Sequence, residues 1–199
     1  MTTSDLFAGF DLLLIKSYFD APTCAEIVAE MRSAGSEAAT VYGHSASGSV
    51  DERVRRVVRL RPLREIVEFV RRRLWESRRE VEEHFRVRLD ECEEPQFLRY
   101  RVGDFFVAHQ DGNTGMIRLD QEARRVSVVI FLSHQSEDPQ PDAYCGGSLV
   151  FTDLRAPTGD DKFHLSGEPG TLVAFRSETT HEVTPVTHGE RHSIACWYR

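Results

Sequence analysis

The chain has 199 residues and a formal net charge of −7, enough length for one sizeable domain and barely enough for two. The acidic balance argues against nucleic acid as a dominant partner, since phosphate binding needs a basic field, and no stretch approaches the roughly twenty apolar residues that span a bilayer. Met1-Thr2-Thr3-Ser4-Asp5 carries no positive n-region, so a cytoplasmic protein without a secretory signal is expected.

Phe10-Asp11-Leu12-Leu13-Leu14-Ile15 reads as a buried strand. Thr23-Cys24-Ala25-Glu26 resembles a capping box, and Ile27, Val28 and Met31 continue a helical stripe to a stop near Gly35. Residues 43–49 form a small-residue loop, and 50–60 alternate well enough to predict a strand. Pro62 opens the longest helix, in which Leu63, Ile66, Val67, Val70 and Leu74 keep the 3.6-residue period and Val81 and Phe85 extend it. Arginines crowd into residues 53–79, but Glu52, Glu65, Glu68, Glu76 and Glu80 interleave with them. That pattern is a solvated helix face rather than a docking patch.

After Pro95 the pattern changes to short strands, at 96–102, 105–109, 125–133, 148–152, 162–165, 171–175, 181–186 and 191–198, with turn material at 168–170 and 187–190. Eight short strands predict a jelly roll or barrel-like sandwich. The whole is read as one domain over 1–199, with 1–95 as helix and strand support for a β core over 96–199. Two loops, 112–124 and 134–144, exceed ordinary hairpin connections and are expected to border a binding site.

Cys24, Cys92, Cys145 and Cys196 are widely spaced without a CxxC, which excludes zinc-ribbon and thioredoxin readings and predicts free thiols. Cys196 lies in an apolar strand pattern and is expected to be a buried small residue. His44, His134 and His164 read as surface histidines, and His84 as a helix-end cap or surface residue. His188 and His192 have the i,i+4 spacing of a helical zinc pair, but Gly189 and the β-branched run that follows oppose a helix.

His109-Gln110-Asp111 differs from these, because it ends a strand-like run. Residues i and i+2 of an extended chain point the same way, so one metal can reach both His109 and Asp111. With the distal His181 they offer two imidazoles and a carboxylate, a facial ligand set that leaves three positions of an octahedral metal open. Arg191 follows ten residues after His181, at the start of another strand.

The stretches Leu98-Arg99-Tyr100-Arg101-Val102-Gly103-Asp104-Phe105-Phe106 leading into HxD, Gly146-Gly147-Ser148-Leu149-Val150-Phe151, His181-Glu182-Val183-Thr184-Pro185-Val186, and Gly189-Glu190-Arg191-His192-Ser193-Ile194 running to Trp197-Tyr198 resemble the Fe(II)- and 2-oxoglutarate-dependent dioxygenases, in their prolyl 4-hydroxylase-like branch. The resemblance covers about the C-terminal half. It implies a mainly β, α+β fold: a double-stranded β-helix (jelly roll, cupin-like) with flanking N-terminal helices. It implies Fe(II) on His109, Asp111 and His181, and Arg191 paired with the distal carboxylate of 2-oxoglutarate, a role that suits the planar guanidinium fork. Ser193 completes an Arg-x-Ser pattern and would add a hydroxyl to the same carboxylate. Tyr100 matches a tyrosine beside the cosubstrate, and Leu149 and Val183 are expected as an apolar wall around it. Should Arg191 not be the anchor, Arg99 and Arg176 are the alternatives. Some prolyl hydroxylases place a tyrosine on the strand after the HxD loop to meet that carboxylate. The aligned residue here is Phe131, so Ser193 or Ser127 is expected to substitute.

The implied chemistry is hydroxylation of an unactivated C–H bond with dioxygen, 2-oxoglutarate being decarboxylated to succinate and ascorbate serving as an accessory reductant. Asp111 stands where the fold's halogenases carry Gly or Ala, and Trp197 stands where its nucleic-acid demethylases carry a second Arg, so halogenation and nucleobase repair are not expected. A prolyl residue of a peptide or protein is the expected substrate, with a free amino acid or small natural product as the alternative. The rival of a different class is a cupin-like metal or 2-oxoglutarate binding or sensor domain. Asn113, Met116, Ile117 and Arg118, on the loop that leaves the HxD site, are the expected substrate contacts, and that loop is a candidate lid. No membrane partner is expected, and the oligomeric state is left open.

Overall fold

The structure is a computed structural model and describes residues 10–38, 51, 53–112, 123–153 and 161–199. In chain order its elements are β1 (Leu12–Ile15), α1 (Ala21–Ser33), β2 (Gly35–Ala38), β3 (Arg55–Arg56), β4 (Val58–Arg61), α2 (Arg64–Phe85), β5 (Gln96–Tyr100), β6 (Phe105–His109), β7 (Val126–Phe131), β8 (His134–Gln135), β9 (Ala143–Gly146), β10 (Leu149–Asp153), β11 (Asp161–Leu165), β12 (Leu172–Arg176), β13 (His181–Val183), β14 (Val186–His188) and β15 (Arg191–Tyr198).

A seven-stranded sheet runs in the order β1-β12-β7-β15-β5-β4-β2, a five-stranded sheet in the order β11-β10-β13-β6-β3, and a three-stranded sheet in the order β14-β9-β8. The first two face each other as a double-stranded β-helix, and α1 and α2 cover the outer face of the larger one. Strand alternation explains both interfaces. On β7, Val126, Val128 and Ile130 pack with Ile27, Met31, Val70 and Leu74 of the helices. Phe131 of the same strand turns the other way, to Leu98, Leu149 and Phe151 between the sheets. On β15, Ile194, Cys196 and Tyr198 face the helices. Arg191, Ser193, Ala195 and Trp197 face the space between the sheets. One register step on β15 would therefore exchange a polar set for a core set.

The N-terminal segment is woven into this frame. β1 pairs with β12, β4 with β5, and β3 with β6, the strand that carries His109. The exposed side of α2 carries Arg64–Glu68, Arg73–Glu76 and Arg78–Glu82 pairs, the solvated face that the charge pattern predicts. Among the described residues, no helix is long and apolar enough to cross a membrane.

Several expectations are corrected. α1 is capped by Asp20, whose carboxylate accepts from the Thr23 backbone N–H at 2.9 Å, not by a box starting at Thr23. Asp at the N-cap with Pro22 in the first turn is the stronger start signal. The helix does end at Ser33, beside the expected stop near Gly35, and Gly35 begins β2. The strand expected over 50–60 breaks at Val57, which is buried between the two sheets, so the chain steps from the smaller sheet to the larger one there. The strand expected over 181–186 is likewise two strands, because Pro185 has no N–H to give a ladder. β14 then occupies part of the expected turn at 187–190. The 134–144 segment contains β8 and the start of β9. Of the two places expected for His84, the structure gives the surface one: it is exposed in the last turn of α2, with Nε2 3.2 Å from Asp11, and αL Arg86 closes the helix. His192, of the excluded zinc pair, is buried. Residues 43–49 and most of 112–124 lie outside the described residues.

Candidate metal and cosubstrate site

His109 and His181 are cross-strand partners on β6 and β13, and their rings lie 4.2 Å apart, centroid to centroid. Asp111, just past the end of β6, completes the set. Its Oδ1 is 3.6 Å from His109 Nε2, and its Oδ2 is 3.5 Å from His181 Nε2. One ligand atom from each residue falls within 4.8 Å of the others, a spacing that a single first-row metal can span.

The other ring nitrogens are committed. His109 Nδ1 is 2.8 Å from the Val107 carbonyl and His181 Nδ1 is 3.0 Å from the Thr179 carbonyl. A proton held on Nδ1 by a carbonyl leaves the Nε2 lone pair for a metal. Burial, with His109 beside it, pushes the His181 imidazole down to about 4, so the ring is neutral at ordinary pH. Burial alone would raise the Asp111 carboxyl, but His181 and His109 outweigh it and hold the group far below the ordinary carboxylate range. A neutral His181 imidazole beside an ionised carboxylate matches the protonation state that a metal requires.

Asp111 is held from behind. Its N–H and that of Gly112 both donate to the Ser177 carbonyl, at 2.8 and 2.9 Å. The Ser127 hydroxyl donates to Asp111 Oδ2 at 2.8 Å and meets Ser177 Oγ at 2.9 Å. The backbone passes so close here that a Cβ on Gly112 would stand 2.8 Å from the Arg124 carbonyl and 3.0 Å from Ser177 Cβ. The sequence expectation that Ser127 reaches the cosubstrate carboxylate is therefore corrected: its hydroxyl is given to Asp111.

A cavity of about 170 Å³ lies between the sheets and is lined by His109, Asp111 and His181 together with Tyr100, Leu149, Val183, Arg191 and Ser193. Arg191 is 1 % exposed. Its Nη1 donates to Ser193 Oγ at 2.7 Å, and its guanidinium lies over the Tyr100 and Phe131 rings at 5.0 and 5.5 Å. No carboxylate stands within 4 Å of it among the described residues, and its Nε has no hydrogen-bond partner there. A buried cation without a counter-ion is costly, and an anionic ligand would relieve that cost.

Arg99 and Arg176 are poorly placed to be the anchor, since neither lines the cavity. Arg176 is engaged by Asp11 and the Phe85 carbonyl.

Several residues at the site escaped the sequence reading. Tyr144 packs against Arg191 with Gly147 between them, where an added Cβ would stand 3.1 Å from Arg191 Cδ and 3.2 Å from Tyr144 Cε2. Burial pushes the Tyr144 phenol up, although the adjacent guanidinium pulls the other way. Tyr144 thus brings a hydroxyl to the Arg191 end of the site from the segment expected to border the entrance. None of 134–144 lines the cavity. Arg55 of β3 lays its guanidinium 4.7 Å over Phe106, which stacks on His109 at 3.6 Å. Arg124 grips both oxygens of Glu93 at 2.8 Å and lies 3.7 Å over the Trp197 ring. Arg55, Arg124 and Trp197 all line the cavity. Nothing in the sequence singled out Arg55, which lies far from the motif in sequence and reaches it through strand pairing. Asn113, Met116, Ile117 and Arg118 lie outside the described residues.

A family model described as the 2OG-Fe(II) oxygenase superfamily matches residues 95–199. The chain belongs to this superfamily. A PKHD-type hydroxylase of Shewanella sp. strain ANA-3 is 37% identical over 108 residues, covering 52% of this chain and 41% of the relative. The chain thus spans about two-fifths of the length of the curated relatives it matches. A prolyl-4-hydroxylase of Pseudomonas putida superposes with a TM-score of 0.71 at 23% identity, over 98% of this chain and 96% of that one. A Trichoplax adhaerens prolyl hydroxylase, solved with a hypoxia inducible factor peptide fragment, superposes with a TM-score of 0.69 at 15% identity over 98% of this chain and 86% of its own. At these identities the likeness to the solved structures is one of fold. The family's cofactor set is Fe(II), 2-oxoglutarate and dioxygen, and two imidazoles beside an ionised carboxylate, with a buried guanidinium that has no counter-ion among the described residues, suit the first two.

Proposed function

We propose that this 2OG-Fe(II) oxygenase hydroxylates a prolyl residue of a peptide or protein, with His109, Asp111 and His181 holding Fe(II) and Arg191 holding the distal carboxylate of 2-oxoglutarate. The observation that carries the reading is Arg191: a fully buried guanidinium at one end of a cavity whose other end holds the three ligands. When bound, the metal and 2-oxoglutarate supply the oxidising power for C–H hydroxylation.

The chain's own residues do the rest. Arg191 offers its fork to the carboxylate, Ser193 orients the fork, and Tyr144 stands beside it. Leu149 and Val183 line the cavity with apolar surface and exclude water, while Tyr100 holds the guanidinium from its ring face. Arg55, Arg124 and Trp197 border the metal where a substrate would approach. Residues 1–95 and 96–199 work as one unit in this reading, since Arg55 of the first part lines the cavity of the second. The peptide substrate is supported by the likeness to the Trichoplax adhaerens prolyl hydroxylase, which was solved with a peptide fragment. The four buried free thiols suit a reducing, cytoplasmic setting.

The test is succinate formation from 2-oxoglutarate by the iron-loaded chain against a panel of proline-containing peptides and free amino acids, with product masses. Peptide-stimulated succinate together with a peptide heavier by one oxygen is expected. Turnover of free amino acids alone would replace the substrate class, and 2-oxoglutarate binding without any stimulated turnover would favour a sensor.

A further inference from the structure

The Sγ atoms of Cys92 and Cys196 lie 3.3 Å apart, and both residues are buried. Both thiols converge on the Glu93 carbonyl, at 3.6 and 3.2 Å. Cys92 sits in the segment between α2 and β5, whose contact with β15 is an isolated antiparallel bridge to Tyr198. Cys196, two residues before Tyr198, is therefore its diagonal neighbour. Diagonal neighbours stand about 7–8 Å apart at Cα, beyond the roughly 6.8 Å that a disulfide ordinarily spans, so closure needs a backbone shift. The sulfurs would need to approach by only about 1.3 Å to reach bonding distance of about 2.05 Å from 3.3 Å, and that approach draws the Cys92 backbone toward β15.

The residues that would move are those at the cavity. Glu93 follows Cys92 and holds Arg124 through both carboxylate oxygens, with Arg199 on Oε1 at 3.0 Å. Trp197 follows Cys196, carries the Arg124 guanidinium on its ring, and lines the cavity beside Asp111. The dithiol thus lies one residue, along each chain segment, behind a wall of the metal site.

We propose that Cys92 and Cys196 form a redox-active dithiol that hydrogen peroxide converts to a disulfide, and that its closure shifts Glu93, Arg124 and Trp197 at the metal cavity. In the first step Cys92 Sγ, as thiolate, attacks a peroxide oxygen. The O–O bond breaks, hydroxide leaves, and the sulfur is oxidised to sulfenic acid. Cys196 Sγ then attacks Cys92 Sγ, the S–O bond breaks, and the departing hydroxide takes the Cys196 proton as water. The sum is two thiols and one peroxide to one disulfide and two waters, reversed by a thiol or phosphine reductant. Cys92 is the attacking sulfur because it is the less buried of the two, 4 % exposed against 1 % for Cys196, and so the one that peroxide reaches first.

The experiment treats the full chain with hydrogen peroxide, with EDTA present to keep iron from the peroxide, and measures intact mass and peptide linkage without reduction. A mass loss of two hydrogens, a Cys92–Cys196 linked peptide, and recovery of both thiols on reduction are expected. Cys92→Ala and Cys196→Ala should each abolish that link, and Cys24 and Cys145 should stay free in all three proteins. In a Trp75→Phe background, the emission of Trp197 should shift on oxidation, return on reduction, and stay constant when Cys92 is alanine. Full alkylation of both thiols after peroxide, or a link to Cys24 or Cys145 in place of the pair, overturns the dithiol. A 92–196 link with unchanged Trp197 emission overturns its coupling to the cavity. None of these readouts depends on turnover, so the result stands apart from the substrate reading.

Discussion

Ser127 donates its hydroxyl to Asp111 at 2.8 Å, on the same carboxylate oxygen that faces His181 Nε2 at 3.5 Å. The serine sits on the larger sheet and the aspartate at the end of a strand of the smaller one, so this bond ties the ligand's rotation to the opposite sheet. Partners that orient a ligand typically account for 10–100-fold in metal affinity. Ser127→Ala is expected to weaken binding of Co(II) or Fe(II) by about that factor, with little change in fold. Titration of the metal against the wild type decides it. Equal affinities would mean that the Ser177 backbone contacts alone fix Asp111.

His192 gives the fold a pH limit. It is 1 % exposed, and neither ring nitrogen has a hydrogen-bond partner among the described residues. Glu190 stands 3.9 Å away. Burial, with Arg32 and Arg99 adding to it against Glu190, pushes the imidazole from 6.5 down to about 4. The unfolded chain therefore binds a proton that the folded one refuses between these values. The associated stability is complete above about 6.5 and is lost as pH falls toward 4, on the order of 3 kcal/mol for a shift of this size. His192→Leu is expected to flatten the melting temperature across that window. Parallel pH profiles of variant and wild type would place the acid sensitivity elsewhere.

The triad was legible because its signal is local: His109 and Asp111 share a strand-end motif, and His181 and Arg191 begin strands of their own. The fold was legible for the same reason, since the alternation on β7 and β15 separates a helix-facing set from an inward set. What the sequence hid is what strand pairing assembles. Arg55 reaches the metal cavity only because β3 pairs with β6, and Tyr144 reaches Arg191 only because a short sheet forms in an expected loop. The steps at Val57 and Pro185 were hidden because one hydrophobic run serves two sheets. Ser127 was singled out, but for the wrong end of the cavity: its register partner on β15 is Trp197, two positions past Ala195 and four past Ser193, which puts it at the Asp111 end.

Gly147 packs tightly against Arg191. Its φ of +58° is a left-handed conformation, and an added Cβ would stand 2.9 Å from Val186, 3.1 Å from Arg191 and 3.2 Å from Tyr144. Gly147→Ala meets both a conformational cost and overpacking, together about 2–4 kcal/mol. A fall in melting temperature of roughly 4–16 °C follows for a chain of this size, together with weaker 2-oxoglutarate binding as Arg191 is displaced. A variant that melts within a degree of the wild type would show that the 146–148 turn relaxes freely.

Arg191 carries a prediction with two opposite signs. Without 2-oxoglutarate its guanidinium is buried, bonded to Ser193 and faced by two rings, but has no counter-ion within 4 Å among the described residues. An uncompensated buried charge destabilises the fold, and an apolar replacement of similar length relieves it. Arg191→Met is therefore expected to raise the melting temperature of the metal-loaded protein in the absence of 2-oxoglutarate. It should also abolish the further rise that 2-oxoglutarate gives the wild type by binding the folded state. Arg191→Gln keeps one donor and should weaken 2-oxoglutarate by the worth of a charged hydrogen bond, about 1.5–3 kcal/mol or roughly 10–150-fold, while leaving metal affinity nearly intact. The measurement is a pair of melting curves for each protein, with and without 2-oxoglutarate, beside a metal titration. Equal stabilisation of wild type and Arg191→Met by 2-oxoglutarate would move the anchor away from Arg191, and a parallel loss of metal binding would show that the residue supports the triad rather than the cosubstrate.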